Sequence, residues 1–171
     1  MEQKETSFRI RPALEEDSRP ISFIQREIIS KQEGLLALSL NEATETRALA
    51  DIQSLTPGSL GLVAEAKAQV VGYCFLHAMD LAVTRHVVRV SMAVHPTWEG
   101  LGIGRSLLQT GIEWAKENQE VKKIELNVRP TNPRALSLYK KFGFKTEGVH
   151  TRRIRLSSGF ADDISMALFV D

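Results

Sequence analysis

The chain has 171 residues, 43% hydrophobic and 25% charged, with 22 Lys and Arg against 21 Asp and Glu for a net charge of +1. That length sets an expectation of one domain over residues 1–171, and near-neutrality argues against a nucleic-acid or anionic-membrane partner. The lone Cys74 excludes an internal disulfide and suits a reducing, cytoplasmic setting; Met1 to Thr6 lacks an apolar signal core, and no apolar run reaches the ~18 residues of a membrane span.

Ser7 to Arg11 reads as a short strand in which Phe8 and Ile10 alternate with Arg9 and Arg11, and Pro12 ends it. Asp17 or Ser18 caps a helix with Pro20 in its first turn. Ile21, Ile24 and Ile28 share one face of that helix, and Gly34 closes it. Leu35 to Leu40 is apolar but too short to classify. Thr44 to Leu55 reads as a second helix, stopped by Thr56-Pro57-Gly58-Ser59. Leu60 to Ala66 and Val70 to Met79 read as strands joined by a tight turn at Lys67-Ala68-Gln69. Gly72 inside the second marks a bulge or a close backbone approach. His77, near its end, is read either as a base or as a bystander.

Thr84-Arg85-His86 leads into a strand from Val87 to Val94. Val88, Val90, Met92 and Val94 share one face, and Arg89, Ser91 and Ala93 the other. Gly100, Gly102 and Gly104 then alternate ahead of an amphipathic helix that runs to about Asn118, with Ile103, Leu107, Leu108, Gly111, Ile112 and Ala115 on one side. A strand, a glycine turn and a helix start gather unpaired N–H groups and a partial positive charge, which suits phosphate or pyrophosphate. The loop is not a Walker A motif, because Arg105-Ser106 follows Gly104 where a lysine is required. As a Rossmann turn its third glycine comes one residue early.

Lys123 to Val128 reads as a strand with Ile124, Leu126 and Val128 on one face and Glu125 and Asn127 on the other. The crossover helix makes it parallel to the strand before the glycine loop. Asn132 is an N-cap with Pro133 at the first helical position; Ala135, Leu138 and Tyr139 share a side, and the helix ends at Phe142-Gly143-Phe144.

The run Val94-His-Pro-x-x-x-Gly-x-Gly-Ile-Gly-Arg-x-Leu-Leu108 resembles the acetyl-CoA signature of the GNAT superfamily of N-acetyltransferases. The family pattern Gln/Arg-x-x-Gly-x-Gly/Ala falls on Glu99 to Gly104, with Glu99 in place of the usual Gln or Arg; the backbone cradle is untouched by that change. Asn132-Pro-Arg-Ala-x-x-x-Tyr-x-x-x-Gly-Phe144 resembles the second GNAT signature, in the right order and spacing. Glu147-Gly148 with Arg152, Gly159, Asp162 and Met166 resembles the closing hairpin of bacterial members.

The resemblance implies an α/β fold, the GNAT acyl-CoA N-acyltransferase fold, with a mixed sheet of about seven strands flanked by about four helices. It implies acetyl-CoA as cosubstrate, no metal, and transfer to a primary amine of a small molecule or a protein N-terminus within a ternary complex. Cofactor contacts carry over to Met92, Ala93 and Val94 for the pantetheine arm and acetyl carbonyl. Gly100, Leu101, Gly102, Ile103, Gly104, Arg105 and Ser106 carry over for the pyrophosphate, and Asn132 for a contact from the next helix start. Residues 30–45 and the tail hairpin would shape the acceptor site, and a homodimer through that hairpin is compatible. Tyr139 is the general acid for the leaving thiolate, or only steadies the sulfur. The strand His86 to Val94 carries no carboxylate, so the base is Glu125, or Glu125 is a surface charge and water serves. The competing readings are a non-catalytic acyl-CoA-binding or sensing module and a nucleotide-binding regulator.

Overall fold

The computed structural model describes residues 7–170. The reading of Met1 to Thr6 as lacking a signal core falls outside that range. The elements are β1 (Arg9–Pro12), α1 (Ser18–Lys31), α2 (Glu45–Gln53), β2 (Leu60–Ala66), β3 (Gln69–Ala78), β4 (Val87–Val94), α3 (Ile103–Glu117), β5 (Lys123–Val128), α4 (Pro133–Lys141), β6 (Lys145–Leu156) and β7 (Gly159–Phe169). One sheet takes all seven strands in the order β1-β2-β3-β4-β5-β7-β6. Every pairing is antiparallel except β4–β5, the one bridged by a crossover helix. Among the described residues no helix is long and apolar enough to cross a membrane.

Two apolar clusters sandwich the sheet. One gathers Cys74, Leu76, Val88, Val90, Ile124 and Leu126 under the apolar stripe of α3 and the inner side of α4. The other packs Val63, Tyr73, Phe75 and Ala93 against Ile21, Ile24 and Ile28 of α1 and Ala48 and Ile52 of α2. The face expected for α3 is the buried one: Ile103, Leu107 and Leu108 are each no more than 1% exposed. Truncating one of them to alanine costs about 2–5 kcal/mol, so the helix, and the glycine loop at its head, sit in a fixed place.

Local chemistry departs from expectation in two places. Asp17 does not cap α1 with its side chain. Its carboxylate instead accepts from both Arg11 Nη atoms at 2.8 Å and from the Leu14 N–H at 2.8 Å, tying β1 to a 3-10 turn at Glu15–Asp17 ahead of the helix. The β2–β3 turn is shorter than read, two residues, with Lys67 and Ala68 at φ 49° and 60°. Two positive φ values are what the strand twist requires of such a turn. Both readings of Gly72 hold. The pairing skips Val71 opposite Ala64 and Glu65, and a Cβ at Gly72 would stand 3.1 Å from the Ala93 carbonyl oxygen and 3.2 Å from Leu107.

The feature that positions the site is a divergence of β4 and β5. They pair only over Val87↔Lys123, Val88↔Ile124 and Arg89↔Glu125. Beyond Arg89, β4 stays with β3 as far as Val94, and β5 stays with β7 as far as Val128. The sheet opens there into a wedge.

Candidate active site

The backbone directions in the wedge follow from strand geometry. The His95 N–H donates to the Val71 carbonyl at 2.8 Å. N–H and C=O groups of alternate residues face the same neighbour. Ala93 and Ser91 are therefore paired toward β3, while the main-chain groups of Met92 and Val94 face the gap, the Val90 N–H being taken up by Glu125 in the last β4–β5 pair. On the far side, the Val170 N–H donates to the Lys122 carbonyl at 3.1 Å, so Ile124, Leu126 and Val128 serve β7 and Asn127 faces the gap. A gap lined by main-chain donors and acceptors that no neighbouring strand takes up is suited to an extended, amide-bearing ligand. The Ala93 backbone is taken up by β3, so of the three strand residues expected there only Met92 and Val94 offer main-chain groups.

At the mouth of the wedge lies the glycine loop. Gly100 and Gly102 have φ of 83° and 82°, a conformation that costs an L residue roughly 1–2 kcal/mol. Gly102 is the N-cap of α3, and the first helical bond runs from the Ser106 N–H to the Gly102 carbonyl at 3.0 Å. The amides of Ile103, Gly104 and Arg105 precede that bond and have no helical partner. A Cβ at Gly104 would meet Val94 and Met92 only at 3.5 and 3.6 Å, ordinary contact. The protein itself therefore does not require glycine at 104; a ligand lying against that amide would. Leu101 and Ser106 lie off the cavity wall, Leu101 exposed and the Ser106 amide already bonded. Glu99 pairs with Arg134 at 2.7 Å across the loop.

From α4, the Asn132 side-chain oxygen accepts from the Ala135 N–H at 3.1 Å, as an N-cap should. Tyr139 is buried, its ring tilted on Phe144 at 5.7 Å, and it lines the same cavity as Met92, Val94 and the glycine loop. Burial pushes its phenol pKa upward, and the Arg129 charge opposes this only in part. It therefore stays protonated at any ordinary pH. Neighbouring Cys74 is sealed in the core with its thiol pushed up to about 12 by burial, which keeps it inert.

A single cavity of about 880 Å³ runs from the glycine loop through the wedge to the α1–α2 face of the sheet. There it meets Tyr73, whose pKa is pushed up to about 12 by burial although Gln25 donates to its hydroxyl at 3.2 Å. His77 is also on this wall, with burial holding its pKa low. Glu125 is not on the wall. Lys123 donates to it at 2.8 Å and Arg89 stands 4.0 Å away, which makes it part of a surface ion-pair network. The physical reason is register: Glu125 belongs to the last β4–β5 pair, just short of the opening.

Arg129 and Asp163 escaped the sequence reading. Both are about 4% exposed, and Arg129 Nη1 stands 3.4 Å from Asp163 Oδ1. Burial draws the guanidinium pKa down, against the attraction of Asp163. Asn127 bridges Asp163 at 3.1 Å and Ser165 at 3.2 Å. Alternation along β7 with Ile164 and Met166 was the available signal that Asp163 faces the cavity side.

A mixed seven-stranded sheet, parted beside a glycine-rich helix start, is the acyl-CoA N-acyltransferase fold. Residues 16–144 match the Acetyltransferase (GNAT) family. The chain is 30% identical over 111 residues, 65% of its length and 68% of the relative's, to the L-amino acid N-acetyltransferase AaaT of Escherichia coli (strain K12). It is 35% identical over 98 residues to an N-alpha-acetyltransferase of Sulfolobus acidocaldarius, spanning 52% of this chain and 57% of that relative. Among solved structures, the putative acetyltransferase yncA of Salmonella typhimurium with its cofactor acetyl-CoA superposes with a TM-score of 0.84 at 22% identity, over 96% of this chain and 94% of that one. The chain belongs to the GNAT family of acetyltransferases, enzymes that take their acyl group from acetyl-CoA.

Proposed function

We propose that the protein transfers the acetyl group of acetyl-CoA directly to a primary amine, with both substrates bound at once along the cavity. The observation that carries this reading is the coincidence, on one cavity wall, of the free α3 amides, the main chain of Met92 and Val94, and the buried Tyr139. Amides of Ile103, Gly104 and Arg105 hold the diphosphate, with the helix end supplying favourable charge. Main-chain groups of Met92 and Val94 align the pantetheine arm and receive the carbonyl oxygen as charge builds on it. The amine nitrogen forms a bond to the acetyl carbon, the carbon–sulfur bond breaks, and its electron pair goes to sulfur. Tyr139 donates its phenolic proton to that sulfur and is reprotonated from solvent. The proton lost by the amine passes to water in the cavity, since Glu125 is held outside it.

The acceptor is an amine of an amino acid or a protein N-terminus, the two classes named for the relatives. The test is thiol release from acetyl-CoA with a panel of amines, run beside calorimetry with coenzyme A, ATP and NAD. Coenzyme A binding with amine-dependent thiol release is expected. Binding without turnover for any amine would leave a sensing module, and preference for ATP or NAD would leave a nucleotide regulator.

A further inference from the structure

The acceptor end of the cavity carries more arginine than carboxylate. Arg47, Arg89, Arg129 and Arg153 line it, against Asp51 and Asp163. The ion pairs there are incomplete. Asp163 is shared, 3.4 Å from Arg129 and 3.7 Å from Arg153, so one carboxylate faces two guanidinium groups. Glu125 is claimed by Lys123 at 2.8 Å and reaches Arg89 only at 4.0 Å. Arg47 makes no ion pair as close as 4.0 Å among the described residues, although, behind the hydrogen bonds from Ser39, its charge helps hold the Glu42 carboxyl below its ordinary pKa. The side chains of Arg89 and Arg153 are 55% and 57% exposed, free to turn toward a ligand. A cavity with this excess concentrates anions, and guanidinium forks grip carboxylates through two parallel bonds.

The arm that carries Arg153 is also strapped down. Glu33, just past α1, accepts from the Ser157 hydroxyl at 2.6 Å and from its N–H at 3.0 Å, pinning the tip of the β6–β7 hairpin. Leu156 lies so close over Gly34 that a Cβ there would stand 2.6 Å from its Cδ2. The strap residues lie beside the cavity rather than on its wall, and they fix the β6 arm from which Arg153 reaches it.

We propose that the acceptor is a small amine bearing a carboxylate, as an α-amino acid does, and that Arg47, Arg89 and Arg153 hold that carboxylate while the amine meets the thioester at the β4–β5 gap. This rests on the N-acetyltransferase reading and narrows it. The test uses the full chain with matched acceptors: amino acids, their carboxamides, the corresponding decarboxylated amines and short peptides. Amino acids should exceed their carboxamides in kcat/KM by about tenfold or more, as expected where a site's charged donors are left unpaired by the analogue, and added salt should shrink the ratio. Arg47→Gln and Arg153→Gln should each cut that ratio by about threefold or more at unchanged melting temperature and acetyl-CoA KM. Equal rates for the matched pairs, better turnover of peptides, or variants that keep the ratio would overturn the proposal. In parallel, N-acetyl amino acids and their amides are titrated by calorimetry into protein loaded with coenzyme A. Carboxylate-selective binding without turnover would sink the catalytic reading and leave the arginines as a carboxylate site only. Turnover without carboxylate preference would do the reverse.

Discussion

The two ends of the cavity are built from different materials. The cofactor end is main chain: three consecutive helix amides, two strand residues facing a gap, and glycines at 100 and 102 in the left-handed region. The acceptor end is side chain, with Arg47 from α2, Arg89 from β4, Arg129 from the loop after β5 and Arg153 from β6. A main-chain site needs a fixed local conformation, which a short run of residues can encode. A side-chain site needs distant elements to meet, and its residues are free to change with the acceptor. Tyr139 stands where the two ends join, and each prediction below presses on one end and asks whether the other responds.

The largest effect belongs to that junction. Tyr139→Phe should lower kcat by about a hundredfold, the scale of a lost general acid, with little change in the acetyl-CoA KM. Steady-state kinetics on the two proteins decides it; an unchanged kcat removes the phenol from the chemistry. The pH profile adds a sign. Burial raises the Tyr139 pKa above its ordinary value of 10.0, so the acid form is complete below that pH and is lost only above it. The alkaline limb of kcat should therefore stay level up to about pH 10. A fall beginning near pH 8 or 9 would point to another group.

The contrast also shows which parts of the molecule could be read without coordinates. The stripe Ile103, Leu107, Leu108, Gly111, Ile112 and Ala115 gave α3 its buried face, and Asn132-Pro133 and Gly143 gave α4 both ends, because helix periodicity and capping are local. The parallel β4–β5 pair followed from its crossover helix. Its length did not. Nothing in Val87 to Val94 or Lys123 to Val128 says that pairing stops at Arg89, yet that stop creates the wedge and leaves Glu125 outside it. The Arg129–Asp163 pair was hidden for the same reason: its partners are brought together by β5–β7 pairing across 34 positions, and charge alone does not reveal partners.

The next effect separates two glycines two residues apart. Gly102 sits at φ 82° with open space around its missing Cβ, so Gly102→Ala should cost about 1–2 kcal/mol of stability through backbone strain. Gly104 has no such strain and lies inside α3, where alanine is the better helix former by roughly 1 kcal/mol. Gly104→Ala should hold or raise the melting temperature while raising the acetyl-CoA KM, because its methyl group occupies the space beside the free amide. Thermal unfolding paired with KM measurements distinguishes the two. If Gly104→Ala binds coenzyme A as well as the parent, the diphosphate does not lie against that amide, and the main-chain account of the cofactor end fails.

The smallest effect concerns the strap that holds the arm carrying Arg153. Glu33 is fully exposed, and its hydrogen bonds to Ser157 hold its pKa below the ordinary carboxylate value. Glu33→Ala should hardly move the melting temperature, since an exposed contact of this kind contributes little to the global fold. Freed from that contact, the hairpin tip should spend more time away from Gly34, loosening the arm that carries Arg153. The acceptor KM should then rise by about twofold while the acetyl-CoA KM stays put, because none of the strap residues lines the cavity at the cofactor end. If both constants move together, the two ends are mechanically coupled through β6 and β7, and the division between a main-chain half and a side-chain half does not hold in solution.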